Sequence, residues 1–149
     1  MTVGNYCEQN LALLTRDASL QEAAMMMRIH HLGEVIVIDI VNGKNIPVGV
    51  VTDRDLVIEI MALDVDVEQI SVGNIMSLEL ITVPEDYNLS ETLDIMQQHG
   101  VRRLPVVDSA GVLKGLIYME TILKVLCQDL GKMLELINTE RNIEKTLRS

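Results

Sequence analysis

An internal repeat is the feature that most constrains this fold. When the 149-residue sequence is shifted by 69 residues against itself, TVGNYC lies beside SVGNIM, and EVIVID lies beside RLPVVD. About eleven of roughly 38 aligned positions are identical, Gly4 and Gly73 among them. A repeat of this length indicates one supersecondary unit used twice. The predicted organisation is repeat 1 at residues 2–70, repeat 2 at residues 71–127 and a C-terminal helical tail at residues 128–149.

Each repeat has the pattern of a β-α-β-β-α unit. The capping-box signatures Ser19-x-x-Glu22 and Asn88-x-x-Glu91 predict a helix in each copy. Apolar residues at helical spacing predict one buried face per helix: Leu20, Ala23, Ala24 and Met27, then Leu89, Leu93 and Met96. Short apolar runs predict the strands, at residues 11–15, 35–40 and 47–51, then 80–83, 104–107 and 112–117.

The predicted fold class is α/β (α+β), with the two units packed sheet to sheet about a pseudo-twofold axis. Two helices cannot cover both faces of a three-stranded sheet, so the two sheets are expected to cover each other. The C-terminal tail carries an apolar stripe at helical spacing: Leu123, Leu126, Leu130, Leu134 and Ile137. This stripe either packs on its own module or forms a dimer or partner surface.

Composition excludes several classes of protein. The net charge of −10 repels polyanions, and the absence of Trp and Phe removes aromatic platforms for bases, so no nucleic-acid partner is expected. No basic leader and no apolar run of about 18 residues is present, so neither secretion nor a membrane association is expected. The distant pair Cys7 and Cys127 indicates neither a disulfide framework nor a metal knuckle, which favours a reducing cytoplasm.

No catalytic motif is present, and GxxxxGK[ST], GxGxxG, HExxH, GxSxG and CxxC are all absent. His30, His31 and His99 lie at predicted helix ends, where polar residues are ordinary and a metal or general-base role is the less favoured alternative. We therefore predict no catalytic residue, no metal, no catalytic cofactor and no enzymatic activity.

The segment GVVTDRD, residues 49–55, marks a buried strand that runs into a helix. Free backbone N–H groups and the positive end of a helix suit a phosphate there. Thr52 adds a hydroxyl donor, and Asp55 can accept from both hydroxyls of a ribose. The same two residues would also form a plain capping box with no ligand.

Arg102 and Arg103 are the only adjacent basic pair in this acidic chain, and they precede a buried strand. Two adjacent arginines usually lie on the protein surface and are solvated there. Pseudo-twofold packing would instead place them opposite Thr52 and Asp55. Two guanidiniums facing a ribose-accepting carboxylate would form a composite site for a nucleoside phosphate.

The doubled unit, the LPVVD strand and the GVVTDRDL junction resemble a tandem cystathionine β-synthase (CBS) module over residues 2 to about 127. The resemblance implies a regulatory sensor that binds an adenine nucleotide (AMP, ADP or ATP) or an adenosyl ligand between the copies. It also implies a homodimer, and an unidentified protein as the regulated partner. The implied ligand-binding residues are Val50, Thr52, Asp55, Arg102 and Arg103.

Repeat 2 departs from this pattern. Tyr118 and Thr121 replace the Thr and the Asp of the motif, and Gly33-Glu34 stands in repeat 1 where repeat 2 has its arginines. The second cleft has lost its ribose acceptor and gained a negative charge, so we expect one nucleotide per chain. The alternative is a structural dimerisation module with vestigial clefts.

Overall fold

A computed structural model describes residues 1–148 and contains two three-stranded sheets. The strands of repeat 1 are β1 (Leu13–Thr15), β2 (Glu34–Val41) and β3 (Lys44–Thr52). The strands of repeat 2 are β4 (Val83–Pro84), β5 (Arg103–Val107) and β6 (Leu113–Tyr118). In each sheet the first strand is parallel to the second, and the second is antiparallel to the third. The predicted mixed α+β fold is confirmed.

The main helices begin at the predicted caps. The Ser19 side chain accepts a hydrogen bond from the N–H of Glu22, and the Asn88 side chain accepts one from the N–H of Glu91. These caps start the two equivalent helices, α1 (Leu20–His30) and α4 (Leu89–His99). The remaining helices are α2 (Asp53–Asp55), which continues as a π-helical segment (Leu56–Met61), α3 (Val72–Ile75) and α5 (Met119–Arg148). Short 3-10 turns cover Val3–Asn5 and Val67–Gln69.

The two repeats exchange their N-terminal segments, which the sequence patterns did not predict. Val3 is buried in the core of repeat 2, and its equivalent Val72 is buried in the core of repeat 1. The N–H of Gly4 donates to the carbonyl of Glu85 over 3.0 Å, and Gly73 makes the equivalent bond of 2.9 Å in repeat 1. The reciprocal contacts give the chain its pseudo-twofold axis.

The two sheets also pack against each other, as predicted. Ile36, Ile38 and Leu116 form one buried cluster that contains residues of both sheets. Separate apolar cores lie within each repeat, where the helices cover the sheet. The two copies therefore share one body, and their strand ends meet near its axis.

Helix α5 extends well beyond the second repeat. Ile122 and Val125 are buried in its first turns, whereas the stripe predicted from the sequence is exposed in the chain alone. Leu130 and Leu134, for example, are 60% and 63% exposed. The tail therefore does not cover its apolar stripe with its own module. In the described part of the chain, no helix combines the length and the apolar character needed to cross a membrane.

Candidate functional site

A cleft of about 550 Å³ lies between the end of β3 and the start of β5. Four of the five predicted ligand-binding residues line it: Val50, Thr52, Arg102 and Arg103. The fifth, Asp55, lines a neighbouring hollow of about 330 Å³, and Ser77 lines both spaces. The structure therefore brings both halves of the predicted composite site to one cleft and puts Asp55 beside it.

The glycine of the GVVTDRD segment is required by the exchange of N-terminal segments. The N–H of Ser77 donates to the carbonyl of Val50 over 3.0 Å, so the incoming segment crosses β3 at this point. A Cβ atom on Gly49 would lie 2.9 Å from the carbonyl oxygen of Ser77. On the equivalent Gly115 it would lie 2.7 Å from the carbonyl oxygen of Glu8. Both glycines thus serve the packing of the repeats, whether or not a ligand binds.

Thr52 and Asp55 form the capping box that the sequence offered as the alternative to a ligand site. Asp55 Oδ2 accepts from the N–H of Thr52 over 2.9 Å, and Thr52 Oγ1 accepts from the N–H of Asp55 over 3.1 Å. Both side chains are half-buried. The cap leaves the hydroxyl proton of Thr52 and the second carboxylate oxygen of Asp55 without a partner within residues 1–148. Capping and ligand binding are therefore compatible at these two residues.

The two arginines predicted to meet phosphate are each held by a carboxylate. Arg102 Nη2 lies 2.8 Å from Glu120 Oε1, and Arg103 Nη1 lies 3.3 Å from Glu34 Oε1. Both members of the first pair are exposed, and such pairs contribute about 0–1 kcal/mol, so a ligand can readily displace Glu120. Glu34 is only 8% exposed. Its ion pair is harder to break because a buried carboxylate would be left uncompensated.

The pair of Glu34 and Arg103 lies on the pseudo-twofold axis, because the two residues occupy equivalent positions 69 residues apart. Identical charged residues at this place would repel each other. The two repeats therefore differ here in a way that turns repulsion between equivalent residues into an ion pair. Arg103 also lies over the ring of Tyr118, with its guanidinium carbon 5.9 Å from the ring centroid.

The carboxyl group of Glu34 is buried, unlike those of the other acidic residues that line the cleft. Burial raises the pKa of Glu34, and the neighbouring Arg103 opposes that rise. Glu34 Oε1 is buried and accepts no hydrogen bond within residues 1–148, so the ion-pair contact with Arg103 is its only polar compensation. Buried acceptors without a donor are uncommon in folded proteins.

Several residues of the cleft escaped the sequence interpretation. Asp53 and Arg54 line it from inside the recognised segment, where the strand-to-helix spacing could have signalled them. Ser77 and Glu79 also line the cleft. Ser77 reaches it because the N-terminal segments are exchanged, and no local pattern signals such an exchange.

The comparisons with known proteins agree with this architecture. The family model described as CBS domain matches residues 3–62 and 72–128. This chain belongs to the CBS domain family. The Methanopyrus kandleri protein MK0525 is 36% identical over 125 residues, which cover 84% of this chain and 62% of that protein. The CBS chain described here thus spans less than two thirds of that relative's length.

Two solved structures share the fold of this CBS domain pair. A CBS domain pair/ACT domain protein from Thermotoga maritima is 32% identical, with a TM-score of 0.68 over 87% of this chain and 99% of that one. The structure of CBSX2 in complex with AMP is 28% identical, with a TM-score of 0.70 over 85% of this chain and 96% of that one. These similarities confirm the prediction of two CBS units in tandem.

Proposed function

We propose that this CBS domain pair is a regulatory module that binds an adenine nucleotide or an adenosyl ligand in the cleft between its repeats. The observation that carries the proposal is the composite cleft, to which one repeat contributes Val50 and Thr52 and the other contributes Arg102 and Arg103. The similarity to CBSX2, which was solved in complex with AMP, supports the same ligand class. The module performs no chemistry of its own in this proposal.

Each residue of the predicted site, including Asp55 in the neighbouring hollow, has a role in the proposed complex. The Thr52 hydroxyl donates to a phosphate or ribose oxygen, and the free oxygen of Asp55 accepts from the ribose. Arg102 and Arg103 neutralise phosphate charge, which the net charge of −10 otherwise makes unfavourable. The apolar side chain of Val50 packs against the base or the sugar.

A thermal-shift panel followed by calorimetry tests this function. AMP, ADP, ATP, adenosine and S-adenosylmethionine are each added to the full chain at graded concentrations. A ligand present at 100 times its Kd stabilises the folded state by about 2.7 kcal/mol, which raises the Tm measurably. At least one adenosine compound should do so, while GMP and inorganic phosphate serve as specificity controls. Silence across the whole panel would contradict the proposal.

A structural dimerisation module is the second candidate, and specific contacts favour it. Thr52 and Asp55 already cap each other, and both Arg102 and Arg103 already contact carboxylates. Because these polar side chains already have partners, the protein needs no ligand in the cleft in order to fold. The same thermal-shift panel separates the two candidates, because the dimerisation module would not respond to any nucleotide.

We also propose that the chain forms a homodimer and signals to an unidentified regulated protein in the cytoplasm. Apolar side chains are exposed on α1, on the π-helical segment and on α5: Met25, Ile29, Val57, Met61, Leu123 and Leu126. Such surface is usually covered in stable proteins. Light scattering at micromolar concentration should give the mass of two chains, and a stable monomer would contradict the dimer. Cys7 and Cys127 are both free thiols, which suits the proposed reducing location.

A further inference from the structure

We propose that Glu34 is a specificity-determining residue, which makes the cleft select adenosine compounds of low negative charge over nucleoside di- and triphosphates. This inference rests on the proposed function and adds the ligand's charge to it. Glu34 lies on the pseudo-twofold axis, lines the cleft and is 8% exposed. Glu34 therefore borders the space that a phosphate chain would enter.

The Arg103 guanidinium cannot keep its full contact with Glu34 and also bind a phosphate. Its Nη1 atom lies 3.3 Å from Glu34 Oε1, and the Tyr118 ring lies beneath its guanidinium. Glu34 Oε1 is buried and accepts no hydrogen bond within residues 1–148, so moving Arg103 towards a phosphate would leave that buried oxygen with no polar compensation. Phosphate oxygens near the axis would also meet the negative charge of Glu34 directly. Every additional phosphate increases this repulsion.

The charges that line the cleft leave little capacity for anions. Three of the lining residues are acidic and three are basic: Glu34, Asp53 and Glu79 against Arg54, Arg102 and Arg103. Arg102 forms an ion pair with Glu120, and Arg103 forms one with Glu34. Arg54 is then the lining arginine that forms no ion pair in the described part of the chain. Arg54, together with Arg102 once the exposed Glu120 is displaced, suits a single phosphate or a zwitterionic adenosyl compound better than a triphosphate.

Calorimetric titrations of adenosine, AMP, ADP and ATP into the wild-type chain and Glu34→Gln test the proposal in buffer with EDTA. The wild type should bind AMP at least about tenfold more tightly than ATP. Glu34→Gln should gain about tenfold or more in ATP affinity and change adenosine affinity less than about twofold, because only the phosphate chain needs Arg103. The double variant Glu34→Gln/Arg103→Gln should lose that gain.

Glu68→Gln is the matched control, because it removes the same charge from an exposed residue that does not line the cleft. A wild type that binds ATP as tightly as AMP would overturn the inference, and this result does not depend on how well the variant folds. An ATP gain in Glu34→Gln equal to that in Glu68→Gln would also overturn it, since net charge alone would then explain the effect.

The outcomes separate this inference from the proposed function. Binding of AMP with no effect of Glu34→Gln on ATP would remove the role of Glu34 and leave the nucleotide sensor intact. If no adenosine compound binds the wild type, both proposals fail.

Discussion

The two repeats have kept the contacts that hold them together and have changed the residues that face their clefts. Both sheets carry an irregular register step at equivalent places, after Val37 and after Val106. Gly49 and Gly115 likewise both lie under a crossing segment of the other repeat. The close approach at the two glycines follows from the exchanged N-terminal segments, which impose the same steric demand on each copy.

The strand-to-helix junctions that follow Gly49 and Gly115 differ in the polar side chains that could bind a nucleotide. Thr52 and Asp55 in repeat 1 stand where repeat 2 has Tyr118 and Thr121. On the axis, repeat 1 has Glu34 where repeat 2 has Arg103. The comparison indicates that packing constrains both copies equally, whereas the residues that we propose to bind a nucleotide line one cleft or lie beside it.

Asp55→Ala should have the largest effect, because it removes the proposed ribose acceptor of repeat 1. Repeat 2 has Thr121, which carries no carboxylate, at the equivalent position. Two charge-assisted hydrogen bonds of about 1.5–3 kcal/mol each would be lost, so the affinity for an adenine nucleotide should fall tenfold or more. Glu91→Ala is the control, because it removes the corresponding residue of the α4 capping box. Both variants should lose about 1 kcal/mol of stability, but only Asp55→Ala should lose affinity in a titration. An unchanged Kd in folded Asp55→Ala would leave Asp55 as a capping residue only.

Alanine at either crossing glycine should destabilise the fold to a similar extent. A Cβ atom would contact backbone oxygen at under 3 Å at Gly49 and at Gly115, so each substitution should cost about 1–3 kcal/mol. Gly131→Ala in α5 is the control, since a Cβ atom there meets nothing within 4 Å. That variant should gain about 0.5–1 kcal/mol in urea unfolding. A large difference between Gly49→Ala and Gly115→Ala would contradict the equivalence of the two crossings.

The local and the repeated features of this chain could be predicted from its sequence. Caps such as Ser19 and Asn88 act within one helical turn, so their signature is local. The exchange of N-terminal segments and the contact of Glu34 with Arg103 depend on how two distant units assemble, and no short-range pattern carries that information. The role of Asp55 lies between these cases, because its capping bonds were foreseen but its position beside the cleft was not.

Arg102→Gln/Arg103→Gln should weaken AMP, ADP and ATP by about tenfold and change adenosine affinity much less. Removal of Arg103 also leaves Glu34 uncompensated beside the phosphate, which adds to the loss. Lys124→Gln/Lys132→Gln on α5 controls for the change in net charge. Competitive titrations measure all four ligands on each variant. Equal losses for adenosine and AMP would refute a phosphate role for the arginines.

The smallest expected effect is on stability: the Glu34 carboxyl group should make the free energy of unfolding depend on pH. Because burial raises the pKa of Glu34, the folded state binds more protons than the unfolded state between the ordinary and the raised pKa. The free energy of unfolding contributed by this group should therefore fall as pH rises through that window. Chemical denaturation at several pH values should show a smaller fall in Glu34→Gln. Parallel pH profiles of the two proteins would contradict this assignment.

The number of ligands bound per chain tests the asymmetry of the two clefts most directly. The ligand used is the adenine nucleotide that gives the largest thermal shift, titrated calorimetrically into a chain of known active concentration. One tight site per chain, which is two per proposed dimer, is the predicted result, because Tyr118 and Thr121 replace the residues of the motif in the second cleft. Two sites of equal affinity per chain would contradict the account.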